Sequence, residues 1–241
     1  MSFYKILDWD TDFFGFKVAQ ITTSRQSPDE LQINLNTLKS LGVKLVYFFS
    51  ENILDKEYKF LLSDFNGNLV DRKVTFFIDL IKINSKNIPK SKEVNSYNKN
   101  MSMEDLENLA VESGRYSRFA IDPKISENKY LELYKIWIRK SVKKEIANEL
   151  FVINKENKIY GMITLIVEKN EGKIGLLSVD SNSRNIGDGR KLINAVHLWL
   201  LNNECKSCYV VTQMDNVVAC NFYKNCGYSV HKLEYCYHFW L

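Results

Sequence analysis

The stretch Leu176-Leu177-Ser178-Val179-Asp180-Ser181-Asn182-Ser183-Arg184-Asn185-Ile186-Gly187-Asp188-Gly189 decides the fold of this chain. It begins as an apolar strand, passes through a loop with two glycines, and leads into residues 190–203, whose apolar side chains recur at helical spacing. The free N–H groups of a first helical turn, aided by the helix dipole, bind anions. Glycine lets phosphate oxygens approach the backbone closely. The stretch therefore predicts a phosphate-binding loop, although a tight left-handed turn without a ligand has the same pattern.

The loop differs from two common nucleotide-binding motifs. Arg184-x-x-Gly187-x-Gly189 is one glycine short of a dinucleotide fingerprint, and it has no P-loop lysine. It resembles the Arg/Gln-x-x-Gly-x-Gly/Ala signature with which GNAT acyltransferases hold the pyrophosphate of acyl-CoA. Residues 216–228 resemble the end motif of the same family, Asn-x-x-Ala-x-x-x-Tyr-x-x-x-Gly-Phe, with Tyr228 in the last position. The two motifs occur in the family's order, with a helix and a strand between them.

The resemblance implies an α/β fold with a central mixed, mostly antiparallel sheet. The chain also contains a possible internal repeat, in which two series of predicted elements agree in order and rough length. The first series is helix 28–41, strand 43–49, helix 53–62 and strand 69–83, and the second is helix 190–203, strand 207–213, helix 216–225 and strand 228–240. The first copy has no phosphate loop. We therefore expect a smaller GNAT-like half-domain at 1–83 on the sugar-nucleotide side, a polar linker at 84–100, and the acyl-CoA-binding catalytic domain at 101–241.

Local patterns predict the elements around the site. Ser27 and Pro28 predict a capped helix start, and Gly42 predicts its end. Residues 8–16 read as an acidic, aromatic turn, and residues 114–119 as a loop or short strand. Helices are expected from Ser102 to about Val111 and over 130–142.

Composition narrows the class of protein. The chain has 241 residues, 45% hydrophobic and 13% aromatic, which suffices for a full core. We expect no contact with a membrane, because no stretch approaches the ~20 apolar residues of a span. Residues 1–5 do not resemble a signal peptide, so we expect a cytoplasmic protein. The net charge of +4 suits a small anionic ligand, and its even distribution argues against a nucleic-acid partner.

The five cysteines leave two interpretations. Cys205-x-x-Cys208 is compatible with redox or metal chemistry. No second pair stands at zinc-binding spacing, and His197, His231 and His238 are scattered. We therefore expect reduced cysteines packed as small hydrophobic residues, and no metal.

The resemblance also implies the site residues. Tyr223 is the expected general acid for the leaving CoA thiolate, unless it only packs under the loop. Asn216, the other expected catalytic residue, either bonds the pantetheine or caps its helix. Backbone groups of Leu177 and Val179 are expected to face the pantetheine amides. The full expected cofactor set is Leu177, Ser178, Val179, Arg184, Asn185, Ile186, Gly187, Asp188, Gly189, Arg190, Asn216, Asn221 and Tyr223.

The base for the amine is harder to assign. No carboxylate lies between Ile174 and Val179, where many GNAT enzymes carry one. Asp180 is the nearest and is a candidate loop cap. A lysine-like amine, pKa ~10.4, is about 0.04% neutral at pH 7, whereas one nearer the α-amino value of ~7.7–8.0 is about 10% neutral. A sugar amine therefore needs little help, and we expect a water relay.

The opening segment 7–14 and the mid-chain segment 117–142 resemble WecD-type sugar-nucleotide N-acyltransferases. This resemblance implies transfer from acetyl-CoA or a longer acyl-CoA to a dTDP-linked amino sugar for surface polysaccharide, by a monomer or homodimer. Arg115 and Arg118 are the expected diphosphate ligands, and Phe13, Phe14 or Tyr116 the expected base-stacking residue. A solvated loop for the arginines and a core position for Phe14 are the alternatives. Other acceptors, such as a protein N-terminus or a polyamine, and a non-catalytic acyl-CoA-binding module also stay open.

Overall fold

The computed structural model describes residues 2–184 and 186–241, and in that part of the chain ten strands form a single sheet. The strands are β1 (Tyr4–Ile6), β2 (Val18–Ile21), β3 (Leu45–Ser50), β4 (Asn68–Asp79), β5 (Val94–Ser96), β6 (Glu149–Lys155), β7 (Lys158–Glu168), β8 (Glu171–Val179), β9 (Ser207–Gln213) and β10 (Ser229–Trp240). The α-helices are α1 (Asp8–Phe14), α2 (Pro28–Ser40), α3 (Lys59–Asp64), α4 (Met103–Ser113), α5 (Arg118–Ile121), α6 (Glu127–Val142), α7 (Asp188–Asn202) and α8 (Val217–Asn225).

The strand order is β1-β2-β3-β10-β4-β9-β8-β7-β6-β5. Two neighbouring pairs, β2–β3 and β8–β9, are parallel, and the other pairs are antiparallel. Each parallel pair is connected through a helix, α2 or α7, as parallel strands require. The predicted mixed, mostly antiparallel sheet is confirmed.

The two similar halves exchange their last strands. In one half the chain runs β2-α2-β3-α3-β4, and in the other β8-α7-β9-α8-β10. Yet β4 pairs with β9 of the second half, and β10 pairs with β3 of the first. The exchanged strands also pair with each other at the centre of the sheet. The division at 84–100 stays a prediction, and that segment contributes β5, which pairs with β6.

Both faces of the sheet are covered, and the alternation of side chains assigns each residue to a face. On β3, Leu45 and Tyr47 join a core formed with α4, α5 and α6. Val46 and Phe48 point the other way, into a core with α2 and α3. On that same face, α7 and α8 cover the central strands. We call the side covered by α7 and α8 the helix α7 face, and the opposite side the helix α4 face.

Helix α2 begins and ends at the predicted signals. Ser27 accepts a hydrogen bond from the backbone of Glu30, whose carboxylate accepts one from Ser27, and Pro28 opens the helix. Gly42 follows the helix with φ 76°, a left-handed conformation that favours glycine.

One local prediction was wrong, and another was correct only in part. Most of residues 8–16 form helix α1 instead of a turn, and Trp9 and Phe13, one helical turn apart, stack with ring centroids 5.2 Å apart. Residues 114–117 form the predicted loop, whereas Arg118 and Phe119 begin the short helix α5. In the described residues, no helix combines the length and apolar character needed to cross a membrane.

Candidate active site

A gap opens between β8 and β9. In the described part of the chain the two strands pair from Glu171 opposite Ser207 to Ile174 opposite Val210, and the pairing ends there. A bulge lies in β8 at the same level, since the register against β7 shifts between Ile163 and Leu165. The Thr164 hydroxyl accepts a hydrogen bond from the Leu176 N–H at 2.7 Å within this bulge. A bulge bends its strand, and here the bend accompanies the divergence of the strand ends.

The bulged strand turns two peptide N–H groups toward the gap. The Leu176 N–H points toward β7, and the Asp180 N–H donates to the Tyr160 carbonyl of β7 at 2.7 Å. N–H groups alternate in direction along a strand, so those of Leu177 and Val179 point away from β7. These are the donors that the sequence predicted for the pantetheine.

The gap ends at the N-terminus of α7, whose first turn has no side-chain cap in the described residues. Its cap residue is Gly187, with φ 92°, and glycine supplies no side-chain acceptor for the first-turn N–H groups. The Asp188 carboxylate turns inward, 2% exposed, and pairs with Lys191 at 2.8 Å. A Cβ on Gly189 would lie 3.1 Å from the Phe222 ring, so glycine lets α7 and α8 approach here. The N–H groups of the first turn and the positive end of the helix dipole therefore face the gap, where they are available to a ligand.

The equivalent place in the first half is closed. The Glu51 carboxylate accepts hydrogen bonds from Ser24 Oγ and Arg25 Nε, each at 2.7 Å, across the ends of β2 and β3. The first turn of α2 is occupied by its own Ser27 and Glu30 side chains. In the first half, side-chain carboxylates therefore occupy the strand ends and helix start that correspond to the gap and to the first turn of α7.

The gap and the α7 N-terminus form a cleft of about 470 Å³. Predicted residues that line it are Leu177, Ser178, Val179, Arg184, Gly187, Asp188, Gly189, Arg190, Asn216, Tyr223, Arg115 and Tyr116. Lining residues that the sequence did not single out are Glu112, Ser113, Ser183, Val218, Ala219, Phe222 and Asn225. Ile186 and Asn221 are exposed and do not line it. Asn185 lies outside the described residues.

Tyr223 and Asn216 lie on α8 at the floor of the cleft. Burial raises the pKa of the Tyr223 phenol, which keeps its proton available for donation. Its ring packs against Phe76 of β4, with centroids 5.9 Å apart. The Asn216 oxygen accepts a hydrogen bond from the Ala219 N–H at 3.1 Å. That oxygen caps the helix, which leaves the amide nitrogen as the group for a ligand.

Arginines and one glutamate surround the mouth of the cleft. Arg184 donates to Glu112 at 2.8 Å and to the Val179 carbonyl at 3.2 Å, so it ties the end of β8 to α4. Arg115 pairs with the same Glu112 at 2.6 Å. Because both arginines are largely exposed, these ion pairs are weak and an anionic ligand can compete for the guanidinium groups. Asp180, the candidate loop cap, accepts a hydrogen bond from Asn182 N–H at 2.9 Å.

Two residues that were predicted to bind the acceptor substrate, Arg118 and Phe14, lie outside this cleft. The Arg118 guanidinium lies 3.8 Å from the Tyr47 ring centroid and 4.3 Å from that of Phe119. Phe14 stacks with Phe16 and Phe119 in the same core, at 5.7 and 6.4 Å. For Phe14 the structure favours the alternative core position, and Arg118 is not on a solvated loop. Their role in substrate binding stays a prediction that their location does not support.

Arg118 belongs to a buried polar network. Its Nη1 lies 3.2 Å from His238 Nε2, and His238 Nδ1 lies 2.6 Å from Asp122 Oδ2, which also accepts from Trp240. Arginine is only a donor, so Nε2 accepts and the imidazole is neutral with its proton on Nδ1. Burial lowers the pKa of His238 to about 4. The network holds α5 against β10. His238 lies more than a hundred residues from Arg118 and Asp122 in the sequence, so no local pattern indicates the network.

A second, smaller pocket lies on the other side of Tyr116. It measures about 170 Å³, and its walls are Leu69, Val70, Asp71, Arg72, Tyr116, Ile121 and Asp215. Asp215 pairs with Arg72. Asp71 is 8% exposed, and burial raises the pKa of its carboxyl to about 6. No sequence signal indicated this carboxylate, because it lies on β4, in the half of the chain without motifs.

The cysteines are free and mostly buried. Cys205, Cys208 and Cys226 belong to the core under α7 and α8. No group of three or more histidine, cysteine or acidic side chains in the described residues is placed to hold a metal ion. The predicted apolar role of the cysteines agrees with this placement.

Comparisons of the sequence with known proteins give two matches. A sequence model described as "Acetyltransferase (GNAT) family" matches residues 109–228. An uncharacterised Bacillus subtilis protein, YxbD, is 32% identical over 82 residues, which are 34% of this chain and half the length of that relative.

Solved structures show the same fold at low identity. A functionally unknown conserved protein from Staphylococcus epidermidis has a TM-score of 0.68 at 12% identity, over 92% of this chain and 84% of that one. A GCN5-related N-acetyltransferase from Sphaerobacter thermophilus has a TM-score of 0.58 at 13% identity, over 98% of this chain and 75% of that one. A tandem GNAT protein from the clavulanic acid biosynthesis pathway has a TM-score of 0.54 at 9% identity, over 92% of this chain and 74% of that one.

Proposed function

Because residues 109–228 match the sequence model of the GNAT acetyltransferase family, we propose that this chain transfers an acyl group from acyl-CoA to a primary amine. The observation that carries the proposal is the gap between β8 and β9, which opens onto the N-terminus of α7 at Gly187. A strand edge with unpaired donors next to a helix start suits a ligand that has amides at one end and phosphates at the other.

The cofactor lies in the cleft with its pyrophosphate at the first turn of α7. The N–H groups of residues 188–190 and the dipole of α7 bind the phosphate oxygens. Arg184 and Arg190 add positive charge at the mouth. The pantetheine amides run along β8, opposite the N–H groups of Leu177 and Val179.

The reaction is a direct attack in a ternary complex. The amine nitrogen attacks the thioester carbon, and the carbonyl oxygen gains negative charge. The N–H groups of β8 that face the gap stabilise this oxyanion. The C–S bond then breaks, and the thiolate takes the proton of Tyr223, whose raised pKa keeps the phenol protonated at neutral pH.

For the acceptor, we propose the amine of a dTDP-linked 3- or 4-amino-dideoxyhexose, with acetyl or a short hydroxyacyl group as the cargo, for surface polysaccharide. Arg115 and Tyr116 support this choice, since both line the cleft at its α4 side. An arginine fork suits a diphosphate, and an exposed tyrosine ring suits stacking on a base. Phe14 and Arg118 are not part of this proposal, because their partly buried side chains pack against the core and do not line the cleft.

Measuring thiol release tests both the transfer of the acyl group to an amine and the choice of a sugar nucleotide as the acceptor. Acetyl-CoA and several longer acyl-CoAs are offered with a panel of dTDP-linked 3-amino and 4-amino sugars, with ethanolamine, a polyamine and a peptide α-amine alongside. Fast release with one sugar nucleotide, lost when the nucleotide is removed, supports the sugar acceptor. Release with another amine alone refutes the sugar and keeps the transferase. Acyl-CoA binding without release from any amine indicates a binding module instead.

A further inference from the structure

We propose that the carboxylate of Asp71 accepts the proton of the acceptor amine, in the small pocket beside the cleft. The proposal rests on the proposed transfer to an amine. It assigns the base to the first half of the chain, through the exchanged strand β4, and it replaces the water relay that the sequence suggested.

The strand arrangement brings Asp71 to the reacting end of the cleft. Lys73 of β4 lies opposite Gln213, the last residue of β9. The Gln213 side chain donates to Asp71 Oδ2 at 3.4 Å, so the two side chains share the helix α4 face. Gln213 belongs to the end of β9 that diverges from β8. Neighbouring strands lie about 4.8 Å apart, so one strand separates Asp71 from the gap that holds the thioester.

The pocket around Asp71 adjoins the cleft. Tyr116 lines both, and Asp215 of the pocket directly precedes Asn216 of the cleft. Leu69, Val70 and Ile121 make the remaining wall largely apolar. A volume of about 170 Å³ holds the amine-bearing end of an acceptor but not a whole sugar nucleotide. The rest of the acceptor then lies outward, along Tyr116 and Arg115.

Asp71 has an unused acceptor that faces such a ligand. Its Oδ1 is buried and has no hydrogen-bond partner within residues 2–184 and 186–241. A buried acceptor without a partner is costly, and an amine N–H entering the pocket removes that cost.

The surrounding charges leave Asp71 suited to this task. Arg118 of α5 and Lys73 of β4 favour the carboxylate, while Asp215, after β9, disfavours it. The Cys236 thiol of β10 also lies against this group. Lys73 is paired with Glu234 at 2.8 Å, and Arg72 is paired with Asp215. Burial outweighs the cations, so the pKa of Asp71 rises to about 6, which leaves a base that is ionised yet effective at pH 7.

The proton balance closes within the site. Formation of the C–N bond makes the nitrogen positive, and its proton passes to the Asp71 carboxylate. Cleavage of the C–S bond takes the proton of Tyr223 to the thiolate. The protonated Asp71 then returns one proton, through solvent, to the Tyr223 phenolate. The net change is an amine and a thioester converted to an amide and a thiol, with both side chains restored.

The test compares Asp71→Asn with Asp71→Glu and Asp79→Asn, using acetyl-CoA with ethanolamine and with a dTDP-linked 4-amino sugar. Asp79 ends the same strand and hydrogen-bonds the Ile81 N–H, away from both pockets, so it controls for loss of an aspartate. We expect Asp71→Asn to lower kcat/KM by roughly 10²-fold or more and to abolish an acid limb near pH 6. Asp71→Glu should restore part of the rate and the limb, and acetyl-CoA affinity by calorimetry should stay within about twofold in all three.

The outcomes separate this proposal from the proposed function. A wild-type protein that turns over, with an Asp71→Asn variant of equal rate and an unchanged acid limb, overturns only the role of Asp71. An equal loss in Asp79→Asn also overturns it, since the effect is then not local. A wild-type protein that binds acetyl-CoA but releases no thiol with either amine, or with any amine of the wider panel, overturns both.

Discussion

Asp71→Asn should stabilise the folded protein above pH 6 and leave its stability nearly unchanged at about pH 4. Burial raises the pKa of this carboxyl from 3.8 to about 6. The folded protein therefore binds the proton more tightly than the unfolded chain does. The protonated carboxyl therefore adds to the free energy of unfolding. This contribution is complete below pH 3.8 and is lost as the pH rises through 6, where the buried group ionises. Asparagine carries no charge at any of these values and so avoids the loss.

The size of the effect follows from the shift. A change of about two pKa units corresponds to about 3 kcal/mol at pH 8, at about 1.4 kcal/mol per unit. At about 2–4 °C per kcal/mol for a chain of this length, the variant should melt roughly 6–12 °C higher at pH 8. The asparagine amide still needs hydrogen-bond partners, so the lower end of that range is the expected result.

Urea unfolding at pH 4.5, 6 and 8, followed by tryptophan fluorescence, measures the difference between variant and wild type. Other titrating groups, including His197 and His238, are present in both proteins and cancel to first order. Asp79→Asn serves again as the control and should show no such dependence on pH. A difference that does not grow from pH 4.5 to pH 8, or a variant less stable at pH 8, would refute the assignment of a buried, destabilised carboxylate.

Three further predictions concern the cleft and the buried network. Tyr223→Phe should lower kcat by roughly 10²–10⁴-fold with little change in acetyl-CoA affinity, because the phenol acts only on the leaving thiolate; an unchanged kcat would exclude the general-acid role. Gly187→Ala and Gly15→Ala both place a side chain at positive φ in open space, so each should cost about 1 kcal/mol by urea unfolding. Calorimetry should show weaker acetyl-CoA binding for Gly187→Ala alone, and an equal loss in both variants would contradict an anion site at α7. Since burial lowers the pKa of His238 from 6.5 to about 4, its contribution is present above pH 6.5 and is lost as the pH falls toward 4. Wild type should therefore lose about 1–3 kcal/mol relative to His238→Gln over that range in urea titrations, and parallel profiles would disprove it.

Local sequence signals predicted the parts of the fold that are themselves local. The Ser27-Pro28 helix start, the helix end at Gly42 and the loop with Gly187 are each encoded by a few adjacent residues. Their chemistry acts over one helical turn or one reverse turn, so it can be read without knowing the rest of the molecule.

Long-range pairing could not be predicted in the same way. A buried strand such as β4 has the same apolar alternation whichever neighbours it pairs with, so nothing in residues 68–79 indicates β9 and β10 as partners. The role proposed for Asp71 depends on that pairing, and so does the network of Asp122 and His238, 116 residues apart. The sequence therefore placed residues 176–189 correctly on a strand-loop-helix unit, whereas nothing local to Arg118 indicated that its guanidinium lies over the Tyr47 ring.

The exchanged strands also have a consequence for biosynthesis. β4 leaves the ribosome more than a hundred residues before β9 and β10, the strands that pair with its two edges. Until then both edges of an apolar strand are open, and open edges recruit other chains. Folding of so non-local a sheet is expected to be slow and to begin only when synthesis is nearly complete. A fragment of residues 101–241 would lack the strand between β9 and β10, so we expect the second half not to fold on its own even though it carries both sequence motifs.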